Sequence, residues 1–260
     1  MEIIAALFQL FITFWFVIPF LILFSLLKSS WFKGFFGEFK VNISSKLFLD
    51  KQIYQLIKNV TLPTEDGTTQ IDHIIVSKFG IFIIETKNLK GWIFGSEKQK
   101  QWTLQIFKHK NSFQNPLHQN YKHVKTLEKL LDINSNKIHS LIVFVGDSKF
   151  KTLMPENVTQ GGGYLKFIKS HTQEILSEDE VSTIFEQINS GRLQPSISTN
   201  RDHVNHVKDI ISDKNNSKNC HKCGSQMLLR EAKKGTNIGQ SFWGCSNFPK
   251  CRNTIKIENV

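Results

Sequence analysis

Residues 70–88 read Gln-Ile-Asp-His-Ile-Ile-Val-Ser-Lys-Phe-Gly-Ile-Phe-Ile-Ile-Glu-Thr-Lys-Asn. Two short runs of branched and aromatic side chains, one ending at Ser77 and one starting at Ile81, predict a pair of buried strands joined around Phe79-Gly80. Glu85 and Lys87 are two apart on the second strand, so they share a face. A hairpin centred on Phe79-Gly80 pairs Asp72 with Lys87 and brings Asp72 to that same face, whereas a loop of odd length would send it to the other. Buried strands do not carry an aspartate, a glutamate and a lysine without a reason. A structural ion pair is one reason. The other is chemical. Two carboxylates hold a hard divalent cation such as Mg²⁺ or Mn²⁺, the cation polarises a phosphoryl oxygen, and the lysine orients a water or offsets developing charge. Glu38 is a candidate third carboxylate and Gln119 a candidate polar contact. His73 alternates away from Asp72, as a packed imidazole. His118 and His123 fall near Lys122, Lys125 and Lys129 on a later helix, either to meet phosphates or as a solvated face.

Around this hairpin the chain reads as an α/β fold. Phe39, Ile43 and Leu47 recur at i, i+4 and i+8 and predict an amphipathic helix from Gly37 to about Asp50. Tyr54 to Leu62 is a strand, and Asp66-Gly67 marks the turn that follows it. Trp92–Phe94 and Trp102–Phe107 are two more short strands. Asn115-Pro116 opens a helix to about Leu131, and His139–Val145 is an apolar strand of the kind buried on both faces. Gly161–Gly163 reads as a flexible loop. A helix from Ser177 to Ile188 has Ser177 as its N-cap and three acids in its first turn. Helices alternating with strands imply layers around a mixed sheet. Residues 191–218, rich in Ser, Asn, Asp and Lys, read as a linker with a short helix near His203–Ile211.

The first thirty residues carry a different pattern. From Ile3 to Leu27 the side chains are almost all apolar, long enough for one transmembrane helix. No basic n-region or small-residue cleavage pattern marks a removed signal peptide. Lys28, Lys33 and Lys40 follow the run, so the positive-inside rule predicts a single-pass anchor in the bacterial inner membrane with the body in the cytoplasm. The chain has 33 Lys and Arg against 22 Asp and Glu, a net charge of +11, which suits a polyanionic partner, nucleic acid or anionic lipid.

All four cysteines fall between Cys220 and Cys251. Cys220-x-x-Cys223 and Cys245–Cys251 are two pairs separated by a segment that can form a hairpin, Leu228–Arg230 against Ser241–Trp243. That spacing predicts a closed tetrahedral Zn²⁺ site over residues 219–256; two disulfides or free thiols are the alternative. From Lys214 to Lys256 nine basic residues face one acid, Glu231. Lys222, Arg230, Lys233, Lys234, Lys250 and Arg252 are the candidate phosphate contacts, with Phe242, Trp243 and Phe248 as stacking surfaces, unless Trp243 forms the ribbon's own core.

Gly37-Glu38, Leu62-Pro63, Gly67-Thr68, Gln70–His73, Gly80–Phe82, Glu85–Asn88, Gly91–Ile93, Trp102 and Asn115–Gln119 together resemble the nuclease-related (NERD) domain, over a motif core of residues 36–145 within a domain reaching 190. That family is similar to the restriction-endonuclease-like fold. The resemblance implies Asp72, Glu85 and Lys87 as catalytic residues, supported by Glu38 and Gln119, with Asp72 and Glu85 on Mg²⁺. Ile71 stands where the wider signature carries a proline before its first acid. The tail resembles the zinc ribbons of type IA DNA topoisomerases through Cys220-x-x-Cys223-Gly224, Gly239-x-x-Phe242-x-Gly244-Cys245-Ser246 and Phe248-Pro249-x-Cys251, with His221 where a proline is common. It implies DNA binding. The combined expectation is a membrane-anchored nucleic-acid-binding protein with Mg²⁺-dependent phosphodiesterase chemistry on DNA and no small-molecule cofactor. The competing expectations are a tethered binder that keeps the fold without turnover, and an adaptor for anionic lipid.

Overall fold

A computed structural model describes residues 15, 17–64, 67–194, 201, 204, 220–232, 239 and 241–256. The chain divides into two compact units between Gln194 and Pro195. The first opens with helices α1 (Val17–Lys28) and α2 (Ser30–Phe48). Strands β1 (Gln55–Thr64), β2 (Gly67–Ser77), β3 (Gly80–Lys87), β4 (Gly91–Phe94), β5 (Gln101–Ile106) and β6 (His109–Gln114) follow. Then come α3 (Pro116–Leu131), β7 (Ile138–Phe144), β8 (Ser148–Phe150), β9 (Val158–Gln160), α4 (Gly163–Ser170) and α5 (Glu178–Gly191).

The main sheet has the order β1-β2-β3-β7-β9. β2 runs antiparallel to β3, while β3, β7 and β9 run parallel, so the sheet is mixed. Every residue from Gly80 to Glu85 is buried, because helices cover both faces. Ile81 and Ile83 pack in a cluster with Val124 and Leu127 of α3 and Val181, Ile184 and Ile188 of α5. Phe82 and Ile84 pack in another with Val41 of α2 and Tyr164 and Ile168 of α4. Each such side chain contributes about 1.5–3 kcal/mol of burial. A second sheet, β6-β5-β4-β8, lays Ile93 and Trp102 against Ile142 and Phe144 of β7.

The α/β expectation with flanking helices stands; its details shift. The β2–β3 hairpin pairs Ser77 with Gly80 and His73 with Ile84. Its turn is therefore Lys78-Phe79, and the register differs by two residues from one centred on Phe79-Gly80. The parity of the paired residues is unchanged. The α2 stripe is displaced too. Phe39 is 45% exposed and Leu47 70%, while Val41, Ser45 and Leu49 are buried, with Gly37 on the same side. A Cβ on Gly37 would lie 2.9 Å from the Asn88 Cβ. Small residues, not the bulky ones, let α2 lie this close to the end of β3. Gly163 begins α4 instead of closing a loop, and α5 runs through Gly191, with the Leu193 N–H still donating to Thr61 O.

The transmembrane anchor expected before this fold is corrected. Among the described residues no helix is long and apolar enough to cross a membrane. α1 has 12 residues, a rise of about 18 Å against roughly 30 Å of hydrocarbon. At Ser29 the backbone turns extended and the hydroxyl accepts from the Phe32 N–H at 3.1 Å, starting a new helix. The remainder of the run, residues 1–14 and 16, lies outside the described residues. The membrane partner, the tethered function and the inner-membrane placement with a cytoplasmic body fall with the anchor.

In the second unit β10 (Met227–Glu231), β11 (Ser241–Cys245) and β12 (Thr254–Lys256) form an antiparallel sheet. The hairpin expected between the cysteine pairs is β10–β11, with Leu229 opposite Trp243. Most of the expected linker, including the short helix near His203–Ile211, lies outside the described residues.

Candidate functional site

β3 and α3 build the first site. The parallel ladder to β7 sets Glu85 beside Ile142 and Lys87 beside Phe144, at the C-terminal end of the central strand. Asn115 caps α3, its Oδ1 accepting from the Leu117 N–H at 3.0 Å while its Nδ2 donates to the carbonyls of Glu97 and Gln99. Pro116 occupies the first turn, where no N–H is needed. The Asn-Pro pair thus pins the helix start. Gln119 and His123, one turn apart, then point to the same side. Farther in, Asn120 Nδ2 donates to Ile83 O at 2.9 Å and fastens α3 to β3.

The Lys87 ammonium donates to Glu85 Oε1 at 2.6 Å and to Gln119 Oε1 at 2.9 Å. Asp72 Oδ2 accepts from the Thr86 N–H at 2.8 Å. The β2–β3 ladder closes at His73–Ile84, and beyond it this carboxylate engages the β3 backbone. Ile71 and Ile74 share one core cluster, an odd spacing that breaks strict alternation at Asp72. Glu38 of α2 is close enough for its charge to help raise Asp72, while burial and then the Glu85 charge raise Glu38.

The five residues singled out in the sequence, Asp72, Glu85, Lys87, Glu38 and Gln119, therefore meet. Sequence reasoning did not place His123 here. It is buried, its Nε2 lies 3.3 Å from Glu85 Oε2, and its Nδ1 hydrogen-bonds with Thr69 Oγ1 at 2.9 Å. Glu85 Oε2 and His123 Nε2, 3.3 Å apart, face each other as an ion pair, and neither atom has a further partner. His118 is elsewhere, bonding Glu97 O. His73 points to the opposite face, with Nε2 3.1 Å from Asn42 Oδ1.

Electrostatics divide the acids. Burial, then the Glu85 and Glu38 charges, push Asp72 well above the usual carboxylate range. Glu38 is raised by burial and by Glu85. Burial would raise Glu85 as well, but His123 and Lys87 hold it below its ordinary value. Neighbouring carboxyls with pKa values pushed apart are a common basis for distinct protonation roles. A cavity of about 460 Å³ lined by Ser45, Lys46, Tyr54 and Gln55 shares no residue with this cluster.

The second site is the cysteine cluster. Cys220, Cys223, Cys245 and Cys251 bring their Sγ atoms within 4.8 Å of one another, the group among the described residues gathered as a metal cage would be. The first pair is a knuckle: the Gly224 N–H donates to Cys220 O at 2.7 Å, and Gly224 sits at φ +72, where a side chain would strain. Asn247 N–H and Asn253 Nδ2 approach Cys245 and Cys220 sulfurs at 3.4 Å. Hydrogen bonds from Ser225 lower Cys223 to about 6, while burial pushes Cys245 up to about 12. Four packed thiols do not ionise together unaided, whereas a divalent cation draws all four to thiolate. Beside the cage, a recess of about 230 Å³ is lined by Arg230, Phe242, Phe248 and Arg252. The Arg230 guanidinium lies 5.9 Å from the Phe248 ring centroid, and Phe248 is 57% exposed. Lys222 and Lys250 are also exposed. Trp243 is corrected as a stacking surface: it packs with Cys220, Met227 and Cys245 in the ribbon's own core. Lys233 and Lys234 lie outside the described residues.

A family model described as nuclease-related domain matches residues 33–145, and one described as topoisomerase DNA binding C4 zinc finger matches residues 217–260. An uncharacterized protein of Bacillus anthracis is 45% identical over 149 residues, covering 54% of this chain and 68% of its own length. No solved structure matches the chain.

Proposed function

We propose that this chain, which belongs to the nuclease-related domain family, is a metal-dependent phosphodiesterase acting on DNA, with a Zn²⁺-bearing ribbon that binds the strand. The observation that carries the reading is the convergence of Asp72, Glu85 and Lys87, with Glu38 and Gln119 beside them, at one end of a buried strand.

The donor set suits a hard cation. Asp72, Glu85 and Glu38 offer only oxygen, and the carboxylate repulsion that adds to burial in raising Asp72 is what a positive ion relieves. Asp72 and Glu85 would hold Mg²⁺ or Mn²⁺, with the Glu38 charge beside them. When bound, the ion supplies Lewis-acid polarisation of the phosphoryl oxygen and a more acidic water. The chain's own groups do the rest. Glu85 and Gln119 fix the Lys87 ammonium with two of its three protons, leaving the third to hold a water or a phosphoryl oxygen. His123 and Thr69 keep Glu85 from turning away. In the ribbon, Cys220, Cys223, Cys245 and Cys251 would take Zn²⁺ in a closed tetrahedral site, while Arg230, Arg252, Lys222 and Lys250 meet phosphates and Phe242 and Phe248 meet bases. Lys233 and Lys234 extend the same basic run.

One feature favours a second reading, a nucleic-acid binder without turnover: Lys87 and His123 already face both Glu85 oxygens, as in a structural ion cluster. Cleavage assays decide. With Mg²⁺ or Mn²⁺ the wild type should hydrolyse DNA, and Asp72→Asn and Lys87→Ala should lose at least about 100-fold in rate at an unchanged melting transition. If wild type cleaves no faster than the two variants on single- or double-stranded DNA, the binder is the better reading.

A further inference from the structure

We infer that the outer face of the β6-β5-β4-β8 sheet is a second nucleic-acid surface, a stacking platform for a single strand built wholly within the α/β unit. This rests on the nucleic-acid reading above but not on turnover.

Side chains alternate across that sheet. Ile93 and Trp102 point inward and are fully buried. Trp92, next to Ile93, points out, and the register sets it in a transverse row of four: Lys110 opposite Gln105, Gln105 opposite Trp92, Trp92 opposite Lys149. At about 4.8 Å per strand, the row spans roughly 14 Å. The next row continues through Phe94, Thr103 and Ser112. Lys151, held by its N–H to Ile93 O at 2.8 Å, sets its ammonium 4.4 Å from the Trp92 ring centroid. Neither row contains an acid; Asp147, just before β8, sits 4.0 Å from Lys90.

A single exposed apolar residue requires no function. Here, however, an indole 47% exposed is flanked across the strands by amide and ammonium groups, with a third ammonium over its face. Phe107 adds a second ring, 91% exposed at the β5–β6 tip, where the Gln105 amide donates to its carbonyl at 2.9 Å. Cations for phosphates, rings for base faces and hydroxyls between them are the elements by which proteins hold single strands; a duplex keeps its base faces stacked and offers Trp92 nothing. The position fits. β4 starts at Gly91, just past Lys87, and the sheet's inner face packs on Ile142 and Phe144, the β7 partners of Glu85 and Lys87.

The test uses full-length protein carrying Lys87→Ala, without added Mg²⁺ or Mn²⁺, so that binding is read apart from turnover. The probes are fluorescent oligothymidylate and oligouridylate of about 15 nucleotides and a duplex of the same length. Trp92→Ala should weaken both single-strand probes about tenfold, the scale of one lost stack, and Trp92→Phe should restore most of it. Lys149→Glu with Lys151→Glu should weaken binding further and lower the slope of log affinity against log salt by about 1 to 2. Photocrosslinking with iodinated uracil should label the peptide containing Trp92. Unchanged affinity in folded Trp92→Ala and in the lysine variant overturns the platform, as does crosslinking confined to the ribbon or a loss confined to the duplex. A wild type that cleaves nothing yet loses binding on Trp92→Ala would sink the phosphodiesterase and leave the platform standing.

Discussion

The carboxylate cluster and the cysteine cluster hold opposite relations to their folds. Asp72, Glu85 and Lys87 sit at the end of a strand whose neighbours are fully buried isoleucines on two covered faces. That core exists whether or not an ion binds, and it forces the acids together against their repulsion. In the ribbon the order is reversed. Its core is Cys220, Met227, Trp243 and Cys245, packed by Cys251 and Ile255, and three of those six belong to the cysteine cage. A fold with so little apolar surface takes its stability from the metal. One site is imposed by a fold; the other is the fold.

The largest expected effect separates the two. Chelation of zinc, or Cys245→Ser, should unfold the ribbon outright, since structural zinc contributes on the order of 10 kcal/mol or more in small domains. The α/β unit should keep its melting transition. A single calorimetric transition lost as a whole on chelation would break the contrast.

A core substitution should do the reverse. Leu127→Ala empties a fully buried position between α3 and the sheet and should cost the α/β unit about 2–5 kcal/mol. Zinc content by metal analysis should stay at one per chain. Zinc loss in a folded variant would show that the ribbon depends on more than its cage.

Smaller still is the α5 cap. The Ser177 hydroxyl accepts from the Glu180 N–H while Glu180 returns a bond to the Ser177 N–H. Ser177→Ala should cost about 1 kcal/mol in denaturant midpoint, again in the α/β unit alone. A shift in the ribbon transition would contradict that.

The smallest effect is a pH slope. Burial and then His171 lower the His139 pKa, so the neutral imidazole is favoured in the fold. The sign follows: this stabilisation is present above the ordinary value of about 6.5 and is lost as pH falls through it towards the folded value. Melting temperatures of the α/β unit between pH 7.5 and 5, in ranges of about half a unit, should fall less steeply for His139→Asn. Parallel slopes would remove His139 from the account.

What was legible follows the same division. The ribbon could be read from spacing, because a metal cage is written in short stretches of chain. The β2–β3 pair could be read from its unbroken apolar runs, yet its register was misplaced, since Gly80 was taken for turn when it is the first residue of β3. α2 is legible from its length, but its buried stripe is not, because Gly37, Val41 and Ser45 and not the bulky Phe39, Ile43 and Leu47 face the sheet. His123 was out of reach because it meets Glu85 only after α3 folds back across the sheet. β6 was missed because His-Lys-Asn-Ser carries no apolar alternation. The anchor expectation rests on apolar content alone, whereas the described helix within that run has only 12 residues.

Manganese binding read by electron paramagnetic resonance in the zinc-loaded chain tests the central claim most directly. The account predicts Mn²⁺ bound in the α/β unit of wild type and displaced by Mg²⁺, lost in Asp72→Asn and kept in Lys87→Ala, since the lysine positions reactants and does not ligate. No bound Mn²⁺ in wild type, or binding that survives Asp72→Asn, would contradict it.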